Sequence, residues 1–295
     1  MKNLLDGKKV SDNLKKLLEE EVSKFNVNNN INSKPGLGII LVGNRKDSET
    51  YVRMKKNACE KIGINNFDVR LPEDISQDEL IVEIEKMNNN SEIHGILVQL
   101  PLPKHINPNI VLNKVKLSKD VDGFHSTNFG NLALKRFDEA ILPCTPAGCM
   151  EILDYYNYDI KGKHVVVIGK SNIVGLPTSL LCLHREATLS VCHLLTKNIK
   201  EITRLADVLI VACGDPKFVK KDYIKEGVII LDVGINNIPD ETKKTGYRIV
   251  GDVDFEDVKD KVEAIAPVPG GVGPMTIAML LKNTVINFKK FNNLF

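Results

Sequence analysis

Ser48, Tyr51, Lys55, Ala58 and Ile62 are spaced 3, 4, 3 and 4 along RKDSETYVRMKKNACEKIGI, so on a helix they share one face. A surface lysine ordinarily points away from an apolar stripe. Lys55 stands on one, beneath an aromatic ring and a hydroxyl. Two readings follow. A snorkelling lysine would lay its stem on apolar surface and keep its charge in water, which is the commoner outcome for such spacing. A partly buried lysine would have its pKa pushed down toward neutrality, which suits it to carry protons. Lys56, about 100° further round the helix, is expected in solvent.

Four other segments carry residues of chemical interest. In GILVQLPLP, Pro101 and Pro103 cannot continue a central strand, so the strand ends at Gln99 and sets its amide at the carboxyl edge of a sheet, where ligands of open α/β sheets bind. In KDVDGFH, Asp120, Asp122 and Gly123 form either a plain Asp-Gly turn or a carboxylate loop able to grip a ring presenting adjacent N–H donors. In PVPGGVGP, two prolines stiffen a loop whose Gly270, Gly271 and Gly273 permit positive φ and close backbone approach, a combination that favours ligand contact over an inert linker. GKSNIVGLP, after the strand HVVVI, resembles a phosphate-binding turn but fits neither common glycine code. The P-loop pattern would need glycine at His164, and the dinucleotide pattern would need it at Ser171 and Val174. No acidic residue follows the next strand, TLSVCH, to hold a ribose 2′-hydroxyl; this weakens an NAD reading and is compatible with NADP, with Lys170 as a cation near the phosphates.

The elements that must position these residues alternate. A first helix carries Val10, Leu14, Leu17, Leu18, Val22 and Phe25 in helical rhythm and runs into the Asn-rich NVNNNINSKPG, read as a loop. Then come the strand GLGIILVG, a helix over 48–62, a strand in NNFDVRLP, a helix from Ser76 and the strand HGILVQLP. A second series starts near Pro143, with Thr145 as N-cap and Pro146 at the first helical position. HVVVIG, TLSVCH, DVLIVACG and GVIILDVG follow as strands. The last helix carries Ile277, Leu280, Leu281, Thr284, Val285 and Phe288 on one stripe. The fold class is therefore α/β, with two three-layer domains built on parallel sheets. The boundaries are 1–143, completed by the C-terminal helix 275–295, and 144–274, the nucleotide-binding half.

Composition narrows the function classes. The chain has 295 residues, 43% of them hydrophobic and 26% charged, with net charge +2 and both signs interspersed. That balance gives neither a nucleic-acid nor a membrane-surface field, and no apolar run reaches the roughly 18 residues of a membrane span. The start, MKNLLDGKKVSDNL, has neither a signal core nor an Arg- and Ser-rich transit composition. Cys59, Cys144, Cys149, Cys182, Cys192 and Cys213 show no C-x-x-C spacing, so neither a disulfide framework nor a metal site is expected, and a reducing cytoplasm fits.

YVRMK, GILVQLPLP, KDVDGFH, PCTPAG, GKSNIVGLP, DVGIN, GDVDF and PVPGGVGPMT, in this order and spacing, resemble the bifunctional methylenetetrahydrofolate dehydrogenase/methenyltetrahydrofolate cyclohydrolase family from about residue 4 to 288. The resemblance implies two α/β domains, the second Rossmann-like, with folate in the cleft between them and NADP on the second. It implies oxidation of 5,10-methylenetetrahydrofolate by NADP⁺, then hydrolysis of the methenyl cation to 10-formyltetrahydrofolate in one-carbon metabolism. It also implies a cytoplasmic homodimer, and the formyltetrahydrofolate synthetase domain of some members is expected to be absent. Lys55 matches the catalytic lysine, Tyr51 the tyrosine on the folate ring, Gln99 the lysine's hydrogen-bond partner, Asp122 the pterin-binding carboxylate and Ser48 a supporting hydroxyl. Val98, Leu100, Pro269, Gly270, Gly271 and Gly273 match the folate-side backbone. Thr145, Gly169, Lys170, Ser171, Ile173, Gly175, His193, Cys213, Gly214 and Ile235 match the cofactor side.

The sequence departs from the family at Lys170, often Arg there; at Leu194 and Leu195, where a polar or basic residue is common; and at Asn57, often Lys. The first two bear on NADP against NAD, NADP being favoured. The alternatives are a cyclohydrolase whose dehydrogenase has lapsed or prefers NAD, and a non-catalytic Rossmann-type binding protein. The latter predicts losses at Tyr51, Lys55, Gln99 and Asp122, and all four are present.

Overall fold

A computed structural model gives the arrangement of residues 3–28, 34–243 and 246–294. The chain folds into two compact units: Asn13–Cys144 with the residues from Ile277 onward, and the residues up to Asp12 with Thr145–Thr276. The chain opens with strand β1 (Asn3–Leu4) and helix α1 (Gly7–Asn28). There follow β2 (Gly36–Val42), α2 (Lys46–Ile62), β3 (Asn65–Leu71), α3 (Gln77–Asn89) and β4 (Gly95–Val98). Two short helices, α4 (Pro108–Leu112) and α5 (Ser126–Ala133), close this series.

β2 lies between β3 and β4, parallel to both. A central parallel strand is covered on both faces and needs no alternation, and all seven residues of GLGIILV are buried. Ile40, Val42 and Val98 join Leu80, Ile84 and Met87 of α3 in one apolar core. α3 starts with a capping box in which Ser76 and Glu79 satisfy each other's backbone N–H groups. α2 stops at Gly63, whose φ of 81° lets its N–H turn back to the last carbonyls.

The second series comprises α6 (Cys144–Tyr155), β5 (His164–Ile168), α7 (Gly175–His184), β6 (Thr188–Cys192), α8 (Ile199–Thr203) and β7 (Val208–Val211). It continues with β8 (Ile229–Asp232), the hairpin β9 (Asn236–Pro239) and β10 (Tyr247–Val250), α9 (Phe255–Val258), β11 (Ala264–Ala266) and α10 (Val272–Phe291). Six parallel strands stand in the order β1-β11-β8-β7-β5-β6. From β5 the chain first adds β6 on one side and then β7 on the other. The order thus reverses between β5 and β7, and a doubly wound sheet opens its ligand crevice at that point, beyond the carboxyl ends of the strands.

Several expectations change. Residues 3–12 fall with the nucleotide-binding half, not with 13–143. β1 pairs with β11 and Leu5 is fully buried, its N–H on the Ile265 carbonyl; a two-residue strand is too short to show a period. α10 begins at Val272, inside the glycine-rich segment, because Gly273 and Pro274 occupy its first turn, where no N–H needs an intrahelical partner. For the same reason α6 can start at Cys144 with Pro146 in its first turn; Thr145 is helical rather than the N-cap, and its hydroxyl meets that of Thr276 at 2.9 Å. Leu17 is 55% exposed, off the buried stripe. Lys56 is only half exposed and pairs with Asp68 on β3 at 2.9 Å. Of the Asn-rich stretch, α1 reaches Asn28, residues 29–33 lie outside the described residues, and β2 starts at Gly36.

Candidate functional site

α2 and the end of β4 bring Lys55 and Gln99 together. Lys55 is 8% exposed, and its Nζ donates to Gln99 Oε1 at 2.9 Å. Gln99 is held in turn: its N–H bonds the Ile40 carbonyl, and its Nε2 donates to the Leu100 carbonyl at 2.8 Å. The buried reading of Lys55 is therefore the correct one. Burial holds its pKa below the ordinary lysine value, and the charges of Asp122, Cys144 and Cys59 oppose that shift. Ser48 is buried and Tyr51 half-buried on the same helix face.

The loop after α3 and β4 separates two carboxylates by function. Asp120 is buried and accepts from Gly123 N, His125 N and Asn128 Nδ2, at 3.0, 2.8 and 2.7 Å, so it shapes the loop. Asp122 carries no such load; its Oδ1 meets the Cys144 thiol at 3.8 Å. Burial pushes the Asp122 carboxyl up to about 7; Lys55 pulls it down and Asp120 pushes it further up. The amine is moved down and the acid up, and each lies in the other's field, so the two groups are electrostatically coupled. Val98 is buried in the α3-side core, so only its main chain is available to a ligand.

In the other unit, Gly169 sits at φ 131°, where a Cβ would collide with the Ala212 carbonyl. At Gly175 a Cβ would lie 2.8 Å from Lys170 N and nearer still to the Gly169 carbonyl. No larger residue fits either place, so the turn closes tightly onto the start of α7. Ser171, at the position of the second glycine, points its hydroxyl into that helix start and accepts from Val174 N at 3.2 Å and Gly175 N at 3.4 Å. Lys170, Ser171 and Ile173 are exposed at the turn. His193, after β6, fixes a turn by donating from its N–H to Thr196 Oγ1. Leu194 beyond it faces solvent, and Leu195 is 85% exposed. The tight turn, with the positive end of α7 and the exposed Lys170 beside it, suits a dinucleotide diphosphate.

Two buried carboxylates behind this crevice escaped the sequence reading, although DVGIN and GDVDF contain them. Asp252 accepts from Cys213 N at 2.7 Å, Gly214 N at 2.9 Å and Asn236 Nδ2 at 2.7 Å. It thereby fixes the loop after β7 and the strand that follows Ile235. Asp232 accepts from Gly234, Asp252 and Val253 N–H groups, and burial lifts its carboxyl to about 7. Gly234 and Gly251 are small because a Cβ at either would strike one of these carboxylates. That aspartate-next-to-glycine pattern was the available signal. The loop Pro267–Gly271 is braced by Gly271 N on the Pro267 carbonyl at 2.7 Å and by Lys8 N on the Gly270 carbonyl at 3.0 Å. Pro269 is exposed, Gly270 has φ 104°, and Gly273 lies near Ile235.

Residues 5–122 match the family model described as the tetrahydrofolate dehydrogenase/cyclohydrolase catalytic domain, and residues 143–292 match the NAD(P)-binding domain of the same family. The chain belongs to this family. Among curated relatives, the bifunctional protein FolD 4, chloroplastic, of Arabidopsis thaliana is 50% identical over 290 residues, 98% of this chain and 80% of that protein. The crystal structure of the bifunctional FolD enzyme of Campylobacter jejuni superposes with a TM-score of 0.92 at 48% identity, covering 98% and 99% of the two chains. The Trypanosoma brucei enzyme, solved with NADP and an inhibitor, gives 0.94 at 41% identity, covering 97% of each. Among the described residues no cluster of His, Cys, Asp and Glu could hold a metal, and no helix is long and apolar enough to cross a membrane.

Proposed function

We propose that this chain oxidises 5,10-methylenetetrahydrofolate to 5,10-methenyltetrahydrofolate with NADP⁺ and hydrolyses that product to 10-formyltetrahydrofolate, with Lys55 as the proton carrier. The buried Lys55, on Gln99 and in the field of Asp122, is the observation that carries this reading. NADP⁺ would supply the hydride acceptor; Gly169, Ser171 and Gly175 would hold its diphosphate at the start of α7, with Lys170 as the cation for the 2′-phosphate. Asp252 steadies Cys213 and Gly214 beside it. Thr145, Ile173, His193 and Ile235 complete the cofactor side.

In hydrolysis, water adds its oxygen to the methenyl carbon and the Lys55 amine takes its proton. The same proton then returns to the ring nitrogen as the carbon–nitrogen bond breaks, while the remaining hydroxyl proton leaves to solvent as the formyl C=O forms. Gln99 orients the amine as an acceptor that brings no charge, so it does not offset the lowering of the lysine pKa by burial. Asp122, once ionised, offers two acceptor oxygens to the adjacent ring N–H and amino group of the pterin. Tyr51 packs on the folate and Ser48 supports the lysine helix. The main chain of Val98 and Leu100, with Pro269, Gly270, Gly271 and Gly273, lines the folate side.

The domain assignment proposed is a folate-binding half around Lys55 and a Rossmann-type half around the β5 turn. A homodimer in the cytoplasm completes the proposal. β6 is an edge strand, and Val191, Leu183, Leu194 and Leu195 beside it are exposed, a surface that a second copy would cover. The six cysteines are unpaired, five of them buried, as suits a reducing compartment. The test is Lys55→Met measured for both activities. Methenyltetrahydrofolate hydrolysis should fall by at least about 10³-fold, the scale of a lost general base, with an unchanged circular-dichroism spectrum and NADP⁺ still reduced by the wild type in preference to NAD⁺. Wild-type hydrolysis in the folded variant would refute the role of Lys55.

A further inference from the structure

The unit that carries Lys55 contains a second concave site at the opposite edge of its sheet. Gln99 follows β4, whereas His94 precedes it, and with the four residues of the strand between them the two lie on the order of 16 Å apart. A cavity of about 410 Å³ opens beside His94, between the end of α3, the segment Lys116–Lys119 and the last turns of α10.

Three ammonium groups border it, and each is held by neutral oxygens. Lys119 is 7% exposed and donates to the Met87 and Asn90 carbonyls at 3.1 and 2.6 Å. Lys116 donates to the Asn88 carbonyl and Asn89 Oδ1, at 3.4 and 2.9 Å. Lys290 donates to the Asp138 carbonyl at 3.2 Å. Among the described residues no carboxylate belongs to the lining; Glu85 accepts from the lining side chain of Asn88. Asn287 also lines the cavity, is 3% exposed, and its Nδ2 has no hydrogen-bond partner.

Capping the carbonyls at the end of α3 accounts for one lysine. A helix terminus carries only about half a negative charge, so three cations exceed what it neutralises. An ammonium has three N–H groups, so Lys116 and Lys119 each keep a donor, Lys290 keeps two, and the Asn287 amide keeps its own. Burial and the neighbouring Lys116 also hold Lys119 down at about 8, a strain that an anion would relieve. Phe291 also lines the cavity, is 58% exposed and meets His94 edge-on at 5.1 Å, which adds an apolar aromatic surface.

We infer that this cavity is a binding site for a small phosphate monoester with an aromatic or apolar body, distinct from the folate and dinucleotide sites. The phosphate lies among Lys116, Lys119, Lys290 and Asn287, and the body lies against Phe291. Several spare donors and multiple positive charges favour a phosphate dianion over a carboxylate.

Calorimetric titration of the whole chain with phenyl phosphate, inorganic phosphate and benzoate tests this. Saturating NADP⁺ keeps the dinucleotide site out of the measurement. The expected result is one equivalent of phenyl phosphate bound, more tightly than either fragment. In Lys116→Gln/Lys290→Gln, which alters two exposed side chains, that affinity should drop at least tenfold while both folate activities persist. Asn287→Leu should weaken binding in the same sense. No binding to wild type, equal binding to the double variant, or benzoate binding as tightly as phenyl phosphate would overturn the assignment.

Discussion

Replacing Gly175 by alanine should separate the two activities. The added Cβ would sit 2.8 Å from Lys170 N and closer to the Gly169 carbonyl, all of it backbone that no side-chain rotation can move. Ordinary carbon–oxygen contacts begin at about 3.3 Å, so the start of α7 must retreat by on the order of 1 Å. Forced overpacking of this kind costs about 1–3 kcal/mol, with the upper end expected for a backbone collision. A 1 Å misplacement of a binding element costs roughly 10²-fold in rate, or about 2.7 kcal/mol. Dehydrogenase kcat/KM should therefore fall about 10²-fold, chiefly through the KM for NADP⁺. Hydrolysis of methenyltetrahydrofolate, for which Lys55 and Gln99 in the other unit are proposed, should stay within about threefold of wild type. The assay is NADPH absorbance against loss of the methenyl chromophore, with thermal melts alongside. Gly162→Ala is the control: its φ is also positive, at 68°, but a Cβ there meets nothing, so it should lose stability without touching either activity. An NADP⁺ KM unchanged in folded Gly175→Ala would show that this turn does not hold the diphosphate.

Two further outcomes follow from the buried carboxylates. Asp122 has a folded pKa of about 7 against 3.8 for the free group, so the folded state binds the proton more tightly and stability from this residue falls as pH rises from about 4 to 7. Asp122→Asn should consequently raise the melting temperature at pH 8, and not at pH 4, while folate binding is lost; an unchanged difference across that range in paired melts would refute it. Asp252→Ala removes the acceptor of Cys213 N, Gly214 N and Asn236 Nδ2 and should cost roughly 3 kcal/mol or more in urea unfolding, with a raised NADP⁺ KM. A variant with wild-type stability and wild-type KM would show that the loop after β7 does not depend on this carboxylate.

Much of the parallel α/β framework was legible because period and punctuation agree. GLGIILV and HVVVI are short apolar runs bounded by glycine or charge, and the stripes of α2 and α10 repeat at helical spacing. Pro101 and Pro103 already placed Gln99 at a strand end, and the one shared face of Ser48, Tyr51 and Lys55 was visible from numbering alone. Local pattern does not extend to groups whose partners are remote in sequence. Whether Lys55 snorkels or is buried depends on Gln99, 44 positions away, and on Asp122 beyond it. Asp120 and Asp122 read alike in KDVDGFH; only the fold supplies three donors to the first and leaves the second to the lysine. β1 shows no period in two residues and exists because β11 offers it an edge. The residue types and their order determined which chemistry is possible. Tertiary packing decided which lysine is desolvated and which carboxylate is left without backbone donors, because desolvation and charge act through space.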